Sequence, residues 1–177
     1  MTTIPERTVA NSAAEHVSDH NELSDAYNDE ELWIPAEAFS ALTGSPALTT
    51  FVSKYRGWAL DASSDEAVYT TISLPPHWST WRGYILSTAA ATGTAVLDLQ
   101  AVDLSSTDDM NAATYASVTE AKSISITTNL LNWTTIGEAT SPAGVMAAIK
   151  LVRDADNGSD TLAADLIFLG LHLIKET

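Results

Sequence analysis

Short runs of alternating apolar and polar residues constrain this chain more than any other sequence feature. Residues 94–104 show the pattern most clearly, because Ala95, Leu97 and Leu99 share one face while Asp98 falls on the other. A period of two residues is typical of a β-strand with one buried face, whereas an amphipathic helix repeats every 3.6 residues. The segment therefore predicts a strand that packs on a core.

The same pattern recurs along most of the chain from residue 32 onward. Further candidate strands cover residues 66–74, 81–88, 124–126, 133–136, 143–153 and 161–174, with turn residues between them. Residues 109–121 are rich in alanine, and we expect a loop with one helical turn there. Seven or eight short strands at this spacing predict an all-β fold, an antiparallel jelly-roll-like β-sandwich.

Charge divides the chain into two unequal parts. The formal net charge is −15, and residues 1–31 alone carry eight acids and one base. These residues include few large apolar side chains, so they cannot form a core by themselves. We therefore predict an acidic N-terminal arm over 1–31, used for attachment, and a β-sandwich domain over 32–177.

The arm also carries a helix signal. Ser12 and Glu15 have the spacing of a capping box, which predicts a short helix over about 13–28. Apolar residues and histidines then follow at alternating steps of four and three, which resembles a short coiled-coil seam. The candidate oligomer and anchor contacts on this seam are His16, His20, Leu23 and Tyr27. A surface helix on its own domain, a small bundle such as a homotrimer, and a disordered tail all remain open.

The last predicted strand is apolar on both faces. Ile167, Leu169, Leu171 and Leu173 alternate with a second apolar set that includes Phe168. An antiparallel strand in a sandwich normally presents one face to water. We expect the face formed by the four residues from Ile167 to Leu173 named above to lie against a second layer. That layer is either a neighbouring protomer or the N-terminal segment of the same chain.

Several functional classes are disfavoured by composition. The chain has 23 acids and only 8 Lys and Arg, so it has little with which to neutralise phosphates, and we expect no nucleic-acid partner. We also expect no membrane insertion, because no long apolar run occurs. Known catalytic motifs are missing, so the prediction is a non-enzymatic protein with no catalytic residues. A glycosidase-like carboxylate pair, such as Asp98 with Glu138, remains formally compatible with the sequence.

An Asp-rich segment forms the one metal-like motif. Asp154, Asp156 and Asp160 alternate with other residues through a turn that contains Gly158. Oxygen ligands in such a loop suit a hard cation, so these three acids are candidate ligands of a structural Ca²⁺. The other interpretation is a polar hairpin turn whose Asp and Asn side chains accept backbone N–H groups. No other cofactor is expected.

Five tryptophans are many for a chain of this size. If Trp33 and Trp78 are exposed, they are candidate contacts for a glycan. The other interpretation places Trp58, Trp81 and Trp133 in the core, with Trp33 and Trp78 at an interface.

Three segments together resemble a known group of proteins. Residues 11–28 resemble the N-terminal attachment segment of small tailed-virus, bacteriophage-like appendage proteins; residues 72–78 and 151–165 resemble strands and the final hairpin of their jelly-roll domains. The resemblance implies a virion location and a structural role as a trimeric spike, fibre knob or capsid decoration. Residues 1–31 would then anchor the protein to a capsid or tail protein of the same virion. The alternative is a carbohydrate-binding jelly-roll module that recognises a receptor or host glycan.

Overall fold

The computed structural model describes residues 30–75, 77–104, 114–140 and 146–176. By its internal contacts the chain divides into Met1–Glu31 and Leu32–Thr177. The helix expected over about 13–28, with His16, His20, Leu23 and Tyr27, lies outside the described residues.

The described residues form eleven strands and one short 3-10 turn, Ala36–Ala38. The strands are β1 (Glu31–Pro35), β2 (Ser40–Thr43), β3 (Ala47–Phe51), β4 (Tyr55–Leu60), β5 (Glu66–Ser73), β6 (Thr80–Thr88), β7 (Gly93–Leu104), β8 (Ala116–Ile126), β9 (Asn132–Thr140), β10 (Met146–Arg153) and β11 (Leu166–Glu176). Among these residues, no helix has the length and apolar character needed to cross a membrane.

The strands build two sheets that pack face to face. One sheet has the order β3-β4-β11-β6-β9, and β1 adds to it by pairing with β11; the other has the order β2-β5-β10-β7-β8. Every pairing with a described register is antiparallel. The predicted antiparallel jelly-roll-like β-sandwich is therefore confirmed.

A single apolar core fills the space between the sheets. Trp81 and Ile85 of β6 face Leu97 of β7 and Ile149 of β10, and all four are almost completely buried. Full burial of a large apolar side chain contributes about 1.5–3 kcal/mol, so the core supplies most of the drive for folding. In β7, the alternation seen in the sequence is the alternation of inward and outward side chains, and the apolar ones such as Leu97 point inward.

Two predictions about strands need correction. Residues 116–121 were expected in a loop with a helical turn, but they belong to β8, which pairs with β7. The β-branched Val118 and Thr119 suit this strand better than the nearby alanines suit a helix. In addition, β1 to β4 are short strands that the alternation pattern did not reveal.

A β-bulge in β11 explains why its sequence is apolar on both faces. The register with β6 shifts between Phe168 and Gly170, so Leu169 is an extra residue. Such a shift moves every later side chain to the opposite face. Phe168 therefore lies in the core before the bulge, and Leu171 and Leu173 lie in the same core after it. The prediction that Leu171 and Leu173 contact another layer or protomer is wrong.

The other two residues of that predicted set lie on the outer side of β11. Ile167 is only 6% exposed, and Leu169 is half-buried. Strand β4 covers both, because a Cβ atom added to Gly57 would lie 2.8 Å from Cγ2 of Ile167 and 3.1 Å from Cδ2 of Leu169. The chain itself therefore buries Ile167 without help from a second protomer.

A buried ion pair fixes the loop between β10 and β11. Nη2 of Arg153 lies 3.0 Å from Oδ1 of Asp160, and the two side chains are 0% and 2% exposed. The guanidinium also donates to the carbonyl oxygens of Leu60, Leu162 and Ala164 at 2.7–2.9 Å. A buried arginine needs a partner for each donor, and here the loop and the end of β4 supply them. The pair thus joins the end of β10 to the start of β11.

Candidate functional site

The outer face of the six-stranded sheet carries a group of aromatic rings. We call this surface the aromatic face; it comprises Trp33, Tyr84, Trp133 and His172. The ring of Trp133 contacts His172 edge-on with centroids 5.1 Å apart, and Tyr84 lies 6.1 Å from Trp133 and 6.4 Å from His172. These three residues come from the adjacent strands β9, β6 and β11, which places their side chains side by side.

Trp133 was interpreted as a core residue, and that interpretation is wrong. Its side chain is 53% exposed. In the register of β9 with β6, Trp133 pairs with Leu86, whose neighbours Ile85 and Ser87 face the core. Trp133 therefore points outward, and Ile136 is the large apolar residue that β9 sends inward.

Trp33 reaches the same face from β1. It is 46% exposed, while its neighbour Ile34 is buried in the core. The indole ring lies over the backbone of Gly170 in β11, where an added Cβ atom would be 2.6 Å from Cζ2 of Trp33. Gly170 also has a φ of +154°, which favours glycine. The bulge in β11 therefore makes room for the ring.

Trp78, the other candidate for glycan contact, lies in the core. It is 1% exposed, and its backbone N–H donates to the carbonyl of Pro75 at 3.0 Å. The tight turn after β5 directs the indole inward. A glycan on the surface cannot reach this side chain, so the prediction for Trp78 is wrong.

Charged groups border the aromatic face at one end. Nε of Arg82 donates to Oε1 of Glu138 at 2.6 Å and lies 3.1 Å from Oε1 of Glu176. The pKa of Arg82 is raised, first by a side-chain hydrogen bond with Tyr84 and then by one with Glu138. Arg82, Glu138 and Glu176 therefore offer charged groups at this end of the aromatic face.

A cluster of three carboxylates lies elsewhere, where the loop after β4 meets the loop after β10. Ligand atoms of Asp65, Asp154 and Asp156 all lie within 4.8 Å of one another. Oδ1 of Asp65 accepts the backbone N–H of Ala155 at 2.8 Å. The pKa of Asp156 is raised by its hydrogen bond with Asp154 and by the charges of Asp65 and Asp154.

Two of the three predicted metal ligands are therefore together, and one is not. Asp160 turns inward to Arg153 and contributes nothing to the cluster. The third carboxylate of the cluster comes from Asp65 instead. Asp65 lies far from Asp154 and Asp156 in the sequence and shows no metal-like spacing with them, so only the fold could reveal it.

The carboxylate pair considered for hydrolysis is not brought together as a catalytic pair. Asp98 belongs to β7 of the five-stranded sheet and accepts the N–H of Ala121 at 2.7 Å, while Glu138 belongs to β9 of the other sheet and binds Arg82. Glu138 also lines a cavity of about 280 Å³ beside Asp103, whose pKa is raised by burial.

No family model matches the chain, and no curated protein matches it significantly. Solved structures do resemble it. A family 35 carbohydrate-binding module from Clostridium thermocellum has a TM-score of 0.61 at 11% identity, over 82% of this chain and 98% of that one. The CBM36-1 domain of a multidomain xylanase from the hindgut metagenome of Trinervitermes trinervoides has a TM-score of 0.55 at 16% identity, over 83% and 98%.

A third structure is the carbohydrate-binding module CBM36 in complex with calcium and xylotriose. Its TM-score is 0.51 at 18% identity, over 80% of this chain and 97% of that one. Sequence identities this low carry information about the fold and not about the ligand. The chain therefore shares its two-sheet β-sandwich with carbohydrate-binding modules.

Proposed function

We propose that this protein is a carbohydrate-binding module and that the aromatic face is its binding surface. The observation that carries the proposal is the exposure of Trp33 and Trp133, at 46% and 53%, on the same side of the same sheet. Large exposed aromatic side chains on one surface are unusual unless a partner covers them. The similarity to carbohydrate-binding modules supports a sugar as that partner.

The chemistry of the aromatic face suits a sugar ring. A pyranose presents C–H groups on one side, which pack on the negative face of an aromatic ring, and hydroxyl groups around its edge. Trp33 and Trp133 would supply the stacking surfaces. Arg82 and Glu138, at the end of the aromatic face next to Tyr84, would offer hydrogen-bond partners for the hydroxyl groups of a further sugar unit.

Charge favours a neutral sugar. The net charge of −15 repels a polyanion at long range and lowers its association rate. This repulsion does not act on a neutral oligosaccharide, so it does not lower the association rate of such a ligand. The ring of Trp33 lies over Gly170 and the ring of Trp133 contacts His172, two residues further along β11, so a short oligosaccharide would contact both.

Titration calorimetry with neutral oligosaccharides tests the proposal. Xylohexaose is the first probe, because a xylotriose complex exists for a protein of this fold, and cellohexaose and mannohexaose follow. We expect binding that Trp33→Ala and Trp133→Ala each weaken by tenfold or more, since loss of a buried aromatic contact costs about 2 kcal/mol or more.

Two variants on the other sheet serve as controls. Leu42→Ala in β2 and Met146→Ala in β10 remove exposed apolar side chains of the five-stranded sheet, at 43% and 51% exposure. Binding should be unchanged in both. Equal loss in the controls, or failure of the wild-type protein to bind across a glycan array, would show that the aromatic face is not a sugar site.

A structural Ca²⁺ would fit the cluster of Asp65, Asp154 and Asp156. The pKa of Asp156 is raised, first by its hydrogen bond with Asp154 and then by the charges of Asp65 and Asp154, and the three carboxylates within 4.8 Å have a mutual repulsion. A hard divalent cation would relieve it and join the two loops. If so, Ca²⁺ raises the melting temperature and Asp65→Asn abolishes the rise, whereas identical melting in Ca²⁺ and EDTA excludes the site.

A role in a virion remains a second candidate, and the homotrimer remains a prediction. Both rest on the resemblance and on the arm over 1–31. The burial of Leu171 and Leu173 inside the chain's own core removes one reason for expecting a trimer. Native mass spectrometry of the full chain and of a variant lacking residues 1–29 tests the homotrimer. A trimer that becomes a monomer on truncation supports assembly through the arm, and a monomeric full chain contradicts the homotrimer.

A further inference from the structure

The loop between β10 and β11 carries a residue pair that is chemically labile in proteins. Asn157 precedes Gly158 there, and it is the one asparagine of the chain that a glycine follows. The backbone nitrogen after an asparagine can attack the carbon of the side-chain amide, and glycine hinders this attack least because it has no Cβ atom. Neither the glycan proposal nor the buried ion pair of Arg153 uses these two residues.

The conformation of the loop does not explain the glycine. A Cβ atom added to Gly158 would have no heavy atom within 4 Å, and the φ of Gly158 lies outside the left-handed region that favours glycine. At every other glycine among the described residues, an added Cβ atom would lie within 3.2 Å of a neighbouring atom. The fold would therefore accept a larger residue at position 158.

The turn holds the two reacting groups close in the chain and leaves the attacking one free. Gly158 is exposed, and its backbone N–H makes no hydrogen bond with the described residues. The N–H of Ser159 donates to Oδ1 of Asn157 at 3.0 Å. This hydrogen bond closes a ring that contains both Cγ of Asn157 and the nitrogen of Gly158. It also places a donor on the oxygen where negative charge develops during the attack.

A second hydrogen bond determines what the reaction would change. Nδ2 of Asn157 donates to Oδ2 of Asp154 at 2.8 Å, so the amide lies beside the cluster of Asp65, Asp154 and Asp156. If a carboxylate replaced the amide, this hydrogen bond would become a contact between two like charges.

We propose that Asn157 is a deamidation site and that its modification adds a fourth carboxylate to this cluster. The nitrogen of Gly158 forms a bond to Cγ of Asn157, the bond from Cγ to Nδ2 breaks, and ammonia leaves with the proton of the Gly158 N–H. Water then opens the resulting succinimide to aspartate or isoaspartate. The reaction is independent of sugar binding and does not require Ca²⁺.

Peptide mapping by mass spectrometry tests the proposal on the full chain, incubated at neutral pH. Trypsin cleavage after Arg153 and Lys175 releases residues 154–175, in which Asn157 is the only side-chain amide. Exchange of NH for O in this peptide therefore reports on Asn157 alone. A synthetic peptide of residues 154–160, incubated alongside, gives the rate without the fold. We expect the folded chain to be converted over the same period as the synthetic peptide.

Gly158→Ala separates the chemistry from the fold. The added methyl group has room in the turn but crowds the attacking nitrogen, so the melting temperature should be unchanged. Deamidation should slow about tenfold, which is equivalent to about 1.4 kcal/mol in the activation free energy. Asn129 is the internal control, because it also lies exposed in a turn but precedes Leu130, and it should stay intact over the same period.

Asn157→Asp reproduces the charge of the aspartate product. In EDTA this variant should melt at a lower temperature than the wild-type protein, because its carboxylate faces that of Asp154. Asn129→Asp adds the same charge in the other exposed turn and should melt like the wild-type protein.

Three results would overturn the proposal. The first is an unmodified peptide 154–175 from the folded chain after the synthetic peptide has been converted. The second is deamidation at the same rate in Asn157 and Asn129, or a rate that Gly158→Ala leaves unchanged. The third is equal melting of Asn157→Asp and the wild-type protein in EDTA, which would show that residue 157 is not coupled to the carboxylate cluster.

Discussion

Removal of the carboxylate of Asp160 should destabilise the sandwich more than removal of any exposed acid. The side chain is 2% exposed and accepts four hydrogen bonds at 3.0–3.1 Å: two from Arg153, one from the N–H of Val96 and one from the N–H of Leu162. Asp160→Ala leaves a buried guanidinium without its counter-charge and the N–H of Val96 without its acceptor, whereas the N–H of Leu162 still donates to the carbonyl of Thr94 at 3.0 Å.

The expected loss is about 3–5 kcal/mol, the usual cost of removing one partner from a buried ion pair. In a domain of this size it corresponds to a fall in melting temperature of roughly 10 °C. Asp160→Asn keeps one acceptor oxygen and should lose less. Asp165→Ala is the matched control, because Asp165 is an exposed acid in the same loop and should change the free energy of unfolding by less than about 0.5 kcal/mol.

Urea unfolding followed by tryptophan fluorescence measures these differences, since Trp78 and Trp81 are buried and become hydrated on unfolding. The double variant Arg153→Met with Asp160→Leu adds a further check. It removes both charges, so it should lose less than Asp160→Ala, although the carbonyls of Leu60, Leu162 and Ala164 would lose their donor. If Asp160→Ala and Asp165→Ala proved equally mild, the pair would not be isolated from water, and our reasoning would be refuted.

Three further outcomes are expected. Gly170→Ala should lower the free energy of unfolding by about 1–3 kcal/mol and displace the ring of Trp33. Sugar binding should therefore weaken although Trp33 and Trp133 are both still present, and unchanged affinity in calorimetry would contradict this. Trp78→Ala should cost about 3–5 kcal/mol in urea unfolding, whereas the more conservative Trp78→Phe should still bind sugar with wild-type affinity. Asp156→Asn should raise the urea midpoint at pH 7 but not at pH 3. Because the pKa of Asp156 is raised in the folded state, ionisation of its carboxyl group above the ordinary value of 3.8 opposes folding, whereas below that value the group is protonated in the folded and the unfolded state. An equal change of the midpoint at both pH values would contradict this prediction.

The architecture could be predicted from sequence because alternation survives in the long strands. In β7, Leu97 and Leu99 point inward at every second position, as the pattern requires. The short strands β2 and β3 lie at or near sheet edges and bury too little for alternation to appear in them.

The site was harder to predict, because it depends on register. The apolar pattern of β11 cannot show that Leu169 is an extra residue, so Leu171 and Leu173 were assigned to the wrong face. Exposure of Trp133 and burial of Trp78 likewise depend on a bulge and a turn, whose positions are set by tertiary packing. Asp65 joins Asp154 and Asp156 only because two distant loops meet.

The position of β11 has a consequence for how the protein is made. It pairs with β4, β6 and β1, yet it is the last strand in chain order. The five-stranded sheet has all its members once Arg153 has been synthesised, whereas the six-stranded sheet needs residues up to Glu176. Strands β1, β4 and β6 therefore present unpaired edges on the nascent chain until β11 leaves the ribosome, and such edges readily associate with other chains. Chaperone binding during synthesis should accordingly concentrate on these strands, and the aromatic face should be the last part of the domain to form.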